Sequence, residues 1–310
     1  MTNLNLGTTY RVRRIDTKNE IIPKTQLFKA LAGDRHIFEP CTRKVPMFEV
    51  TQALETGIIT DFDKTVLSLI AVFGSSFLTT KTLREMLVMS GSMFTDHVFE
   101  SCIKRLNRYH LIAISHFALE GQSPIPTKII SLTSYGSSVA KALGVTHRFN
   151  GFANSSAEPH IVKSRAEASQ LVCNYLKNTI VDKFFIRPVI VVDADSGAIV
   201  RPAASVIICG EQLCFEVPRR HDGWLEDLVD KLERYMLVFA EKTMPTIVIN
   251  GEDEEMNLAI HKAITDKITG MDILYTDDLS TFGPRFKYSL YTFVDDERKC
   301  FEMTVPEIAS

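Results

Sequence analysis

The chain has 310 residues, 45% hydrophobic and 24% charged, with a formal net charge of −3. That length and balance suit about two domains with buried cores and exclude a chain disordered throughout. No run approaches the ~18 uninterrupted apolar residues of a spanning helix, and the opening MTNLNLGTTYRVRR lacks the apolar centre of a signal peptide, so a cytoplasmic protein without membrane contact is expected. Charge is unevenly placed. Residues 1–155 carry 18 Lys and Arg against 12 Asp and Glu, a net +6; the rest carry 17 against 26, a net −9. This fits a DNA-contacting front half on an acidic rear half, and equally two domains that attract one another. The six cysteines show no CxxC pair and read as small hydrophobes, so neither a metal nor a cofactor is expected.

Residues 1–58 show little periodicity and read as a basic N-terminal arm with one or two short elements, in which Arg11, Arg13 and Arg14 could follow a DNA backbone. Residues 59–145 are more regular. Apolar residues at Val66, Leu67, Ile70 and Phe73, then Leu83 and Leu87, then Val98, Cys102 and Leu106 predict three short helices. Hydroxyl- and glycine-bearing turns, Ser75 to Thr80 and Ser90-Gly91-Ser92, separate them. The alternating runs LIAISHF and TKIISLT, joined by EGQSPIP, predict a hairpin, and Tyr135 to Leu143 a closing helix. This is the order of a winged helix-turn-helix domain. Its third helix would turn Val98, Cys102, Leu106 and Tyr109 inward and leave Thr95, His97, Ser101, Lys104, Arg105 and Arg108 on or near the opposite side, with Lys128 on the wing. Basic and hydroxyl side chains there suit phosphates and base edges of double-stranded DNA. The plain alternative is a solvated helix of a three-helix bundle. The stretch IKRLNRYHLI resembles the end of the recognition helix in winged-helix regulators.

Residues 146–159 are polar, with Gly, Asn, Ser and Pro, and read as a linker. From 160 to 310 the pattern predicts a helix, then strands at Phe184 to Val192, Ile199 to Ile208 and Gln212 to Val217. A long helix from Trp224 to Phe239, the strand TIVIN, a helix from Glu254 to about Ile268 and the strands DILYT and YSLYTFV follow. The fold class expected is therefore a multi-domain α/β protein whose rear part is an α/β sandwich around a mixed sheet.

The segment RPAASVIICGEQLCFEVPRRHDGWLEDLVDKLERYMLVF resembles the PD-(D/E)XK nuclease-like fold in the form found in plasmid replication-relaxation proteins. In that family a Pro-Asp pair opens the second strand, a Glu closes the third, and a Lys and a Tyr stand one turn apart on the next helix. Here Pro202-Ala203, Glu216, Lys231 and Tyr235 occupy those places, and Val217-Pro218 stands where the motif would end in lysine. Cleavage by such a fold needs two acidic groups on Mg²⁺ and a lysine. Ala203 and Pro218 supply neither, so the resemblance implies a nuclease-like domain that is catalytically silent and serves assembly. A rival has Asp193 or Asp195 supply the missing acid and Arg219 the positive charge. Glu216 itself is expected as a surface carboxylate paired with Arg219 or Arg220. The expected function is thus a DNA-binding protein of a plasmid or mobile element, in replication, mobilisation or transcription control. A homodimer is expected because two-fold sites double the contacts. The alternatives are an active nicking nuclease or relaxase, with a tyrosine such as Tyr235 in the chemistry, and a protein-interaction adaptor.

Overall fold

Threonines start most helices in the front half of the chain. A first helix, α1 (Met47–Glu55), is followed by α2 (Asp61–Val72), α3 (Thr80–Met89), α4 (Asp96–Arg108) and α5 (Ser134–Ala142). Thr60, Thr79, Thr95 and Thr133 stand immediately before the last four, and each side-chain oxygen accepts a backbone N–H of the first turn. At Thr60 the exchange is reciprocal, because Asp63 Oδ2 accepts the Thr60 N–H at 2.8 Å.

The computed structural model describes residues 35–38, 45–73, 77–118, 127–147, 149, 157–191, 199–239, 244–282 and 286–303. They fall into two units, one ending at Cys173 and the other beginning at Asn174. Among the described residues no helix is long and apolar enough to cross a membrane.

In the first unit four strands, β1 (Arg35–Phe38), β2 (Leu78–Thr79), β3 (Ile112–Ala118) and β4 (Thr127–Leu132), form an antiparallel sheet in the order β1-β3-β4-β2. The β3–β4 hairpin pairs from Ile112 with Leu132 to Phe117 with Thr127. Gly136 lets α5 close on this sheet, since a Cβ there would lie 1.9 Å from the Leu111 carbonyl oxygen. Val66, Leu67 and Ile70 of α2, Leu83 and Leu87 of α3, and Phe99, Cys102, Ile103 and Leu106 of α4 are buried. Val98, expected inward, is exposed. Phe99, Cys102, Ile103 and Leu106 recur at i, i+3, i+4 and i+7 and already fill the inward face of α4, which turns Val98 to its flank.

Helix α6 (Pro159–Asn178) contributes to both units, through Cys173 to the first and from Asn174 to the second. The strand expected from Phe184 to Val192 is two, β5 (Lys183–Ile186) and β6 (Ile190–Val191), and that from Ile199 to Ile208 is β7 (Ile199–Val200) and β8 (Ala204–Ile208). Arg187, at φ +49°, and Pro188 break the first; Pro202, which has no N–H for a ladder, breaks the second. There follow β9 (Glu211–Glu216), α7 (Trp224–Val238), β10 (Thr246–Gly251), α8 (Glu254–Ile264), β11 (Ile273–Asp277), α9 (Asp278–Phe282), β12 (Tyr291–Val294) and β13 (Glu297–Cys300). The seven-stranded sheet runs β13-β12-β11-β10-β9-β8-β5, parallel across β9, β10 and β11 and antiparallel elsewhere. β10 lies near its centre and is buried along its whole length, as its apolar sequence TIVI requires. Successive residues of β9 face opposite layers: Cys214 packs in the core with α7 and α8, while the Phe215 ring meets Tyr175 of α6 at 5.2 Å. The chain is thus a mixed α/β protein with a helical N-terminal region and a seven-stranded mixed sheet flanked by helices.

Candidate functional site

On α4, His97, Ser101, Lys104 and Arg108 recur at i, i+4, i+7 and i+11 and so form one stripe, opposite the buried face. His97, Lys104 and Arg108 are exposed and Ser101 is half-buried. Thr95 is exposed, with its oxygen committed to the helix cap. Arg105 does not join the stripe. Its Nε and Nη2 donate to the two Asp63 oxygens at 2.8 and 3.0 Å, a forked pair with a buried carboxylate. Burial works to raise the pKa of Asp63, but hydrogen bonds from Arg105, Cys102 and Thr60 outweigh it and hold the carboxyl below its ordinary value. Burial, followed by the bond to Asp63, pushes the Cys102 thiol far up, so it stays protonated.

Lys128 is also engaged, 3.3 Å from Glu100, and Arg84 pairs with Asp96 and Glu100 while lying over the Phe99 ring at 4.2 Å. The N-terminal half of α4 is therefore acidic with paired cations beside it, and the C-terminal half carries Lys104 and Arg108 outward. Val88, Met89, Met93 and Val98 are exposed around the α3–α4 turn, Met93 almost completely. Arg11, Arg13 and Arg14 lie outside the described residues, as does most of the stretch expected as a linker.

In the second unit Glu216, Lys231 and Tyr235 come together. Glu216 closes β9 on the face turned to α7, where Lys231 Nζ donates to one carboxylate oxygen and the Tyr235 hydroxyl to the other at 2.7 Å. The expectation of a surface carboxylate held by Arg219 or Arg220 is corrected: Glu216 is buried, and both arginines are spent elsewhere. Arg219 pairs with Asp278 at 2.9 Å and donates to the Pro218 and Asn250 carbonyls, while Arg220 binds Glu252 and Asp253. The physical reason is burial. A strand-end carboxylate inside the α7 layer needs donors from that layer, and Lys231 and Tyr235 lie one turn apart on it. Burial, then the charge of Glu216, pushes the Tyr235 hydroxyl far above its ordinary pKa, so it stays a donor. Asp278 lies in a second buried network; burial, opposed by Arg219, raises its carboxyl to about 7.

Ala203 donates its N–H to the Phe215 carbonyl at 2.8 Å, one step beyond the Ala204–Phe215 pair and so opposite Glu216. Pro202 beside it is buried. A divalent metal does not fit these residues: Ala203 has no side-chain oxygen, its carbonyl accepts from the Arg187 N–H, and both Glu216 oxygens are taken by a cation and a phenol. Among the described residues no three His, Cys, Asp or Glu side chains gather as a metal site. Asp193 and Asp195 lie outside the described residues, and Arg219, proposed as their helper, is buried against Asp278.

Sequence reasoning missed Asp63 and Arg84. The Thr-x-x-Asp spacing at Thr60 marks a capping box and could have flagged Asp63; its partner, 42 residues away, left no local signal. Comparison with family models, with curated proteins and with solved structures finds no match to this chain.

Proposed function

We propose that the protein binds double-stranded DNA as a homodimer through a winged helix built from α2, α3, α4 and the β3–β4 hairpin. In this reading the second unit is a nuclease-like domain that does not cleave and serves assembly. The observation that carries the proposal is the α4 stripe: a three-helix core buries one side of α4 and leaves His97, Ser101, Lys104 and Arg108 aligned on the other. Contact falls to the middle and C-terminal half of the helix, because Arg105 and Lys128 are held by Asp63 and Glu100.

The rear-unit reading is supported by the order α6, β5, β8, β9, α7, β10, in which β5, β8 and β9 are antiparallel neighbours and β10 runs parallel to β9. The closure of Glu216 by Lys231 and Tyr235 supports its lack of cleavage. A plasmid or mobile-element role, in replication, mobilisation or transcription control, rests on the resemblance to replication-relaxation proteins.

The test is a titration of labelled duplex DNA from the protein's own genetic neighbourhood at about 50 and 200 mM salt, with and without Mg²⁺ or Mn²⁺. Intact, retarded DNA whose affinity falls steeply with salt is expected. Absence of binding at low salt sinks the reading, and metal-dependent nicking overturns its second half. One observation favours a protein-interaction adaptor instead: the exposed Val88, Met89, Met93 and Val98 beside Asp96 suit a protein surface better than phosphates.

A further inference from the structure

Helix α1 turns a nearly uncharged face outward. Val50 and Ala53 bury its inner side, while Met47, Phe48, Thr51, Gln52 and Glu55 are exposed, so one of five outward side chains carries a charge. On α7 the outward side chains are Glu226, Asp227, Asp230, Glu233, Arg234 and Leu237, five of six charged, as suits a helix face that meets only water. Phe48, 68% exposed, is the most exposed aromatic ring among the described residues. The uncharged run continues past the helix, where Thr56, Gly57 and Ile58 are exposed as well.

This face is fixed in shape. The Thr51 hydroxyl donates to the Met47 carbonyl at 3.2 Å and the Thr56 hydroxyl to the Gln52 carbonyl at 2.8 Å. Beyond the helix the Ile59 N–H returns to the Ala53 carbonyl at 2.9 Å, and the Ile59 side chain is buried. A phenyl ring and a thioether on a preformed helix offer apolar area without the cost of ordering a loop. Aromatic and Met side chains with few charges among them are the composition of an interface core.

Charge and hydrogen-bonding type narrow the partner to a second copy. A basic or acidic partner finds one carboxylate to hold or avoid on this face, so it gains little from its charge. A two-fold contact sets each group against the same surface, which demands groups that pair with their own kind. The Gln52 amide meets that demand, being both donor and acceptor, and the phenyl ring meets it by being apolar. Two α1 helices crossed antiparallel at Thr51 and Gln52, midway between Phe48 and Glu55, would hold their Glu55 positions roughly 10 Å apart along the axis, past the ~8 Å screening length of physiological salt.

We propose that the exposed face of α1, centred on Phe48, Thr51 and Gln52, is the surface through which two copies of this chain pair. The proposal gives the homodimer of the reading above its contact and rests on that reading for its use on DNA, but pairing itself needs no duplex.

The test is sedimentation equilibrium of the full chain without DNA, from about 1 to 100 µM, the range in which a small interface associates. F48E and T51R each place a charge on the face, M93E places one on the exposed α3–α4 turn as a control, and thermal melts check folding. Both α1 positions are exposed, so the folded state tolerates the changes. Wild type is expected to show a reversible monomer–dimer equilibrium that F48E and T51R each weaken at least tenfold and M93E leaves unchanged. A wild type that stays monomeric over the whole range overturns the proposal and leaves the face to another protein or another segment of the chain. Dimers that survive both F48E and T51R overturn it as well, and their loss in M93E alone would move the interface to the α3–α4 turn. K104A/R108A, measured alongside, separates this proposal from the α4 reading. A monomer that still retards duplex DNA through Lys104 and Arg108 refutes pairing and keeps the α4 contact. A dimer broken by F48E in a protein that binds no duplex does the reverse.

Discussion

Asp63, on a helix, and Glu216, on a strand, are both buried carboxylates that draw a basic side chain from a neighbouring helix, but they are satisfied differently. Asp63 sits in the first turn of α2 and accepts from the Thr60 N–H, the Thr60 hydroxyl and two nitrogens of Arg105. The positive end of the helix adds to these bonds. Glu216 ends a strand and has one ammonium and one phenol, a single donor for each oxygen. The first carboxylate keeps bonds if its cation is lost; the second keeps only a neutral phenol. In both, a basic residue that looks functional in sequence serves as counter-ion to an acid elsewhere in the chain.

Removing the two cations separately tests this difference. Lys231→Met leaves Glu216 buried with Tyr235 alone and is expected to destabilise by about 3 kcal/mol, discounted for the solvent that already reaches Lys231. Arg105→Met leaves the Thr60 bonds in place and costs about 2 kcal/mol. Chemical denaturation of both variants gives the order, and an equal or reversed order breaks the comparison. Adding Glu216→Gln to Lys231→Met should recover part of the loss, with a coupling above about 1 kcal/mol in the double-mutant cycle.

The pH dependence of Asp63 sharpens the same point. Its folded pKa lies below its unfolded one, so its contribution is present above about pH 4 and is lost as pH falls through the folded value. The melting temperatures of wild type and Asp63→Asn should therefore converge as pH falls from about 5 to 3. A constant gap over that range would mean that the Arg105 pair contributes nothing through charge.

Most of the architecture was legible because it depends on local pattern. Helical spacing at Val66, Leu67 and Ile70, alternation in the β3–β4 hairpin and the apolar run of β10 each follow from burial on one side or both. The site was legible only where it too is local: His97, Ser101, Lys104 and Arg108 share a stripe because helix geometry puts them there. Lys231 and Tyr235 were placed correctly one turn apart, yet the destination of their polar atoms depended on Glu216 being buried. The pairing of Arg105 with Asp63 was not legible for the same reason, because its partner lies on another helix. The break of the expected strand was announced by Pro188, which cannot donate to a ladder, whereas the positive φ of Arg187 beside it left no mark in the sequence.

If Arg105 is a counter-ion and Arg108 a ligand-facing cation, their effects on DNA must diverge. Arg108→Ala is expected to weaken duplex binding about tenfold and to reduce the salt slope by about one. Arg105→Ala, compared at a temperature where it is fully folded, should stay within about twofold of wild type, since its guanidinium is already committed to Asp63. Equal losses in both would return Arg105 to the binding surface and place Asp63 in competition with DNA for it.

The smallest effect concerns Glu100, which sets how much positive charge the front of α4 offers. It binds Lys128 at 3.3 Å and Arg84 at 3.3 Å, both partly exposed surface pairs that contribute little to stability. Glu100→Gln removes one negative charge from the face a duplex would approach and weakens the hold on two cations. Stability should change by less than about 0.5 kcal/mol, while duplex affinity at low salt rises about threefold and the salt slope steepens by up to one. Lys128→Ala in the Glu100→Gln background should then cancel part of that gain, because the released ammonium is what reaches the phosphate. A gain that survives loss of Lys128 would assign it to the removed carboxylate alone, and no gain at all would place the duplex, if it binds, away from this end of the helix.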